Sequence, residues 1–72
     1  MGKAEAKKIV SELRKMGQDA EVNNAYRGRG SFGKETTAIS CDSLIDFGRA
    51  MERAGVDIIP GYESLGLGYV VW

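Results

Sequence analysis

The chain has 72 residues, ten Lys/Arg balanced by ten Asp/Glu, one cysteine and no histidine. That length holds one domain, and a domain this small buries only about 60% of the surface its unfolded chain exposes, so it needs tight packing or an added staple. One cysteine excludes an intrachain disulfide, and without histidine it cannot complete a tetrahedral zinc shell. Elimination leaves packing and self-association, and the expectation is a homodimer with no metal and no cofactor.

No stretch approaches the roughly 20 apolar residues of a membrane span. The basic start Met1-Gly-Lys-Ala-Glu-Ala-Lys-Lys8 is followed by no apolar run, so it does not read as a signal peptide. A cytoplasmic location is expected. Charge is unevenly spread. Residues 1–34 hold eight basic and four acidic side chains (+4), and residues 35–72 hold two and six (−4). Such asymmetry steers an anionic partner to one end, or makes the two halves attract.

Residues 3–16 carry Ala6, Ile9, Val10, Leu13 and Met16 at three- and four-residue steps, the stripe of a helix, with Gly17 placed for a left-handed C-cap. Lys3, Lys7 and Arg14 recur on one other face and offer a basic surface. Next, Ala20, Val22 and Tyr26 share one parity, and Thr37, Ile39 and Cys41 alternate with Thr36 and Ser40, predicting a hairpin. Asp42 or Ser43 can cap a second helix with the stripe Leu44, Phe47, Met51 and Ala54, closed by Gly55. A short strand is expected over Val56–Ile59, broken by Pro60-Gly61, and a last strand over Leu67–Trp72, apolar on both parities and so expected to be covered on both faces.

The expected fold is therefore α+β: one small domain over residues 1–72 in the order α-β-β-α-β-β, two helices on one face of an antiparallel sheet of three to four strands. The halves 3–41 and 43–72 echo each other, with Gly17 and Gly55 after the helices and a Tyr/Gly pair in each (Tyr26/Gly30, Tyr62/Gly66), a pattern that weak internal duplication explains.

The segment Tyr26-Arg27-Gly28-Arg29-Gly30-Ser31-Phe32-Gly33-Lys34 concentrates three cations, two aromatics and three glycines. Glycine admits close backbone approach to phosphate, Arg grips its oxygens in pairs, and Tyr26 or Phe32 suits base stacking. The same residues also fit a hairpin loop kept soluble by its charge. Gly28, Gly30 and Gly33 spell a dinucleotide fingerprint, but Thr36–Ile39 reads as strand where that fingerprint needs a helix. Gly28–Lys34 spells most of a P-loop, but Glu35 stands where the magnesium-binding hydroxyl belongs.

Without histidine, general acid–base work near neutral pH lacks its usual side chain, and no serine has an evident activating partner. Cys41 has inward parity and reads as a structural thiol. No catalytic residue is assigned, and the chain is expected not to be an enzyme. The first functional expectation is a non-catalytic module binding nucleic acid or a nucleotide through the 26–34 loop. The alternative is a protein–protein inhibitor or adaptor, for example a phage-encoded, anti-CRISPR-like anti-defence factor. Its contact surface would comprise Tyr62, Leu65, Leu67, Tyr69 and Trp72, since aromatic residues commonly anchor interfaces.

Overall fold

In the computed structural model, which describes residues 1–27 and 34–72, the order is α1 (Lys3–Lys15), β1 (Glu21–Arg27), β2 (Lys34–Cys41), α2 (Leu44–Ala54), β3 (Tyr62–Leu65) and β4 (Gly68–Val71). The four strands form one antiparallel sheet in the order β1-β2-β4-β3, and α1 and α2 pack side by side. The α+β class and the α-β-β-α-β-β order are as the periodicities require.

Local chemistry fixes both helix ends. Glu5 Oε1 accepts from the Gly2 N–H at 3.3 Å and satisfies a donor at the start of α1. At its end, Gln18 N–H donates to Leu13 O and Gly17 N–H to Arg14 O, a Schellman closure that requires the left-handed φ of 84° at Gly17. In α2, Ser43 rather than Asp42 is the cap, its Oγ accepting from Asp46 N–H at 3.3 Å. Gly55 (φ 69°) closes that helix in the same way, with Val56 N–H donating to Met51 O.

One core joins Ala6, Ile9, Val10 and Leu13 of α1 and Phe47 and Ala50 of α2 to Ala20, Ile39, Cys41 and Val71. Both helices thus cover the same face of the sheet. The inward parity expected of Ile39 and Cys41 holds. Ala38, at the opposite parity, is also fully buried.

Two expectations need correction. Val56–Ile59 is not a strand: Val56 packs against the core as the residue that completes the α2 closure, and Ile59 is fully exposed. The third strand is instead Tyr62–Leu65, between the two segments expected as strands. It turns back through Gly66-Leu67, with φ 65° at Gly66 and no positive φ at Leu67, the pattern of a type II′ hairpin. Second, β4 is not covered on both sides by other elements among the described residues. Tyr69 and Val71 face the helices, while Val70 lies half-buried on the far face.

Candidate functional site: a basic groove between α1 and the sheet edge

The five exposed cations of α1 are Lys3, Lys7, Lys8, Arg14 and Lys15. Helical spacing puts Lys3, Lys7 and Arg14 within one narrow stripe that runs beside the buried Val10. The sharp turn at Gly17 lays β1 back along α1. A shallow groove of about 860 Å³ results, lined by Lys7, Val10, Ser11, Arg14 and Lys15 from the helix and by Glu21 and Val22 from the strand. Lys3 continues the line beside Val22, Asn23 and Thr37. The apolar floor comes from the buried Val10 and the partly buried Val22, and the rim is mainly cationic.

Arg14 is held in place. Its Nε donates to the Ala20 carbonyl at 3.1 Å, which ties the helix end to the start of β1. Among the described residues the ion pairs are Lys15–Glu12 (3.3 Å) and Arg49–Asp46 (3.8 Å). Lys3, Lys7, Lys8, Arg14 and Arg53 therefore have no carboxylate within salt-bridge distance there. Glu21 is the one acid on the groove wall. A second hollow of about 420 Å³ on the other side of Lys7 is lined by Lys7, Lys8, Ser11, Glu12, Arg53 and Ala54. Arg53 thus joins the basic side, although the half of the chain it belongs to is acidic. Sequence spacing within α1 marked the Lys3/Lys7/Arg14 face but had no means of adding Arg53, which arrives only because the helices pack side by side.

The 26–34 segment falls partly outside the described residues. Gly28, Arg29, Gly30, Phe32 and Gly33 lie there. Tyr26 and Arg27 end β1 and Lys34 begins β2. In the ladder Tyr26 pairs with Glu35, and Arg27 pairs with Lys34 as the last rung of the hairpin.

The aromatic candidates do not form one patch. Tyr62 stands directly across from Val71, on the helix side, and meets Tyr69 edge to face with centroids 6.1 Å apart. Tyr62 remains 59% exposed, while Tyr69 packs against the core. Leu67, at the hairpin tip, is fully solvated (99%), and Leu65 pairs with Gly68 in the ladder. Trp72 follows Val71 and so points to the opposite face. Its backbone exchanges two hydrogen bonds with Gly61 (3.1 and 3.0 Å), extending the β3–β4 ladder. The indole lies over Gly61 so closely that a Cβ there would sit 2.6 Å from Nε1.

Cys41 is buried, its Sγ 3.8 Å from the Ser43 carbonyl it donates to. Burial pushes its pKa up from the ordinary 9.0, with Asp42 and Asp46 adding to the rise. A buried thiol with a raised pKa is a poor nucleophile. Across the helix pair, Gln18 Nε2 donates to Asp46 Oδ2 at 2.7 Å, pinning the end of α1 to the first turn of α2.

Fold and site together describe a small α+β domain with an open basic groove along one helix. No family model matches the sequence, and neither a curated protein nor a solved structure matches it. No helix among the described residues is long and apolar enough to cross a membrane.

Proposed function

We propose that this chain is a small, non-catalytic module that binds a phosphate-bearing ligand on the basic side of α1. The observation that carries the reading is the α1–β1 groove: Lys7 and Arg14 line it, Lys3 extends it, and none of the three has a carboxylate partner among the described residues. Unpaired cations around an apolar-floored hollow attract anions, and Arg adds a planar fork suited to phosphate oxygens. Arg27, Arg29 and Lys34 of the Arg-Gly segment are further candidate phosphate contacts by residue type alone.

The test is calorimetric titration of the intact protein with ATP and with a mixed-sequence oligonucleotide, repeated on Lys3→Gln/Lys7→Gln. Both lysines are exposed and make no hydrogen bond or ion pair among the described residues, so the fold should persist. Binding of either ligand, weakened about tenfold or more in the double variant, supports the reading; removing two charge-assisted contacts of about 1 kcal/mol each predicts that scale. Absence of binding to both ligands refutes it.

A second reading has its own observation. Ile59, Tyr62 and Leu67 are exposed around the β3 edge, at 101%, 59% and 99%. Solvated apolar side chains beside an unpaired strand edge suit a protein partner, as in an inhibitor or adaptor, or a second copy of the chain. Leu67→Asp and Tyr62→Ala are its probes in a pull-down from the native host, with sedimentation to detect self-association. Loss of a captured partner in both variants favours it. Capture unaffected by either variant rejects this surface.

A further inference from the structure

Resting on the phosphate-binding reading, we infer that the ligand is the phosphodiester backbone of a nucleic-acid polymer, held without reading its bases, and not a free nucleotide. The cations are strung out and do not converge. Lys3, Lys7 and Arg14 share one helical stripe, and at 1.5 Å per residue they span about 16 Å of the α1 axis. Successive phosphates of one duplex strand advance about 3.4 Å along its axis, so that stripe runs beside several phosphates in a row. A free nucleotide presents its phosphates as one compact cluster, and three cations spread over that length cannot all reach it.

The shape of the hollow agrees. Nucleotide and cofactor pockets enclose most of their ligand. The α1–β1 groove is open along its length and continues past Lys7 toward Lys3, with a further hollow toward Arg53 on the other side. A ligand lying along it stays solvated on its outer side, as a backbone tracked by a basic groove does.

Base readout needs free amide or guanidinium forks aimed at base edges. Among the described residues, the Asn23 amide is engaged, donating to Ser40 Oγ at 2.6 Å. The Arg14 guanidinium is anchored through its Nε to the Ala20 carbonyl, which fixes it at the helix end and leaves its Nη groups for a phosphate. The other polar groups lining the groove are Lys7, Lys15, Ser11 and the acid Glu21; lysine and serine commonly contact phosphate, and such contacts fix position without reading sequence.

The experiment is fluorescence anisotropy of the intact protein with four probes: ATP carrying a fluorophore, labelled 12-nucleotide single strands of dT and of dC, and a labelled 12-base-pair duplex, each measured between 50 and 200 mM salt. With three to four phosphates neutralised, log K should fall against log salt with a slope between about −2 and −3.6, a loss of about 20- to 150-fold across that range. Lys7→Gln should flatten the slope by about 0.7 to 0.9. The two single strands should bind within a few-fold of each other, and at least one polymer should bind more tightly than ATP. Which polymer binds better distinguishes single-stranded from duplex backbone as the source of the phosphates. ATP binding as tight as every polymer, or a slope of magnitude below about 1, overturns the inference while leaving the phosphate-binding reading standing. Binding of none of the four probes removes both.

Discussion

Replacing Gly61 by alanine should loosen the end of the sheet, and Trp72 will report it. A Cβ at position 61 would lie 2.6 Å from Nε1, 2.9 Å from Cε2 and 3.2 Å from Cζ2 of the indole, so the ring has to move. Two limits bound the cost. If the ring shifts slightly and stays on the sheet, the strain is that of a mild overpacking, about 1 kcal/mol. If it swings away, it gives up its buried half. A tryptophan buries about 150–250 Å², so half of that at 25 cal/mol/Å² comes to about 2.5 kcal/mol. Gly61 has no positive φ, so alanine is compatible with the backbone there and recovers about 0.4–1 kcal/mol by restricting the unfolded chain. The expected net loss is about 0–0.6 kcal/mol if the ring only shifts and about 1.5–2 kcal/mol if it swings away, a fall in Tm of up to roughly 16 °C for a domain this size. Trp72 is the single tryptophan, so its emission should shift to longer wavelength as the indole enters water. In a Trp72→Leu background the same Gly61→Ala change should be neutral or stabilising. A Tm moved by less than about 2 °C together with unchanged emission would refute the packing of the indole on Gly61.

Three further outcomes follow from the same geometry. Ser43→Ala removes the Oγ that accepts from Asp46 N–H and should cost about 1 kcal/mol in a chemical denaturation curve, whereas Asp42→Ala should cost less, because Asp42 does not cap the helix. Glu21→Gln removes the one acid on the groove wall and should tighten polyanion binding about two- to fivefold in the anisotropy assay, with stability unchanged; weaker binding would mean that the ligand lies elsewhere. Cys41 has a raised pKa in the folded state, so the protonated thiol favours folding: its contribution is fully present below pH 9 and is lost as pH rises through the folded-state value. Denaturation midpoints measured from pH 8 to 10.5 should therefore fall more steeply at the alkaline end in the wild type than in Cys41→Ala, which has no thiol to titrate.

Both helices and the first hairpin were legible because their signals are local. Leu13 and Phe47 sit in stripes with helical spacing, Gly17 and Gly55 stand just past the helix ends at Lys15 and Ala54, and Thr37, Ile39 and Cys41 alternate with Thr36 and Ser40. The second hairpin was not legible in the same way. Val56-Asp-Ile-Ile looks more like a strand than Tyr-Glu-Ser-Leu does, yet Val56 is taken by the helix closure and Ile59 is left in water. What makes β3 a strand lies outside it: the Gly66-Leu67 turn and a complete ladder to β4, carried on by the Gly61–Trp72 bonds. Glycine followed by one residue between two short runs was the available sign, and the β-branched run upstream outweighed it. The same limit governs the internal echo. Exchanging β1 with β3 and β2 with β4 maps the sheet order onto itself, as two related halves require, but Tyr26 falls near the end of β1 and Tyr62 opens β3, so the tyrosines that suggested the repeat do not occupy matching places.

The site shows where reading along the chain stops. Counting charge by halves put +4 in residues 1–34 and −4 in residues 35–72 and directed attention to the Arg-Gly segment. Folding regroups those charges. The turn at Gly17 sets Glu21 among the cations of α1, and the packing of α2 on α1 brings Arg53 beside Lys7 and Lys8. At physiological salt, charges more than about 8 Å apart are largely screened from one another, so an anion responds to this local grouping and hardly to the half-chain totals. The basic surface is thus a property of the helix pair and the β1 edge together.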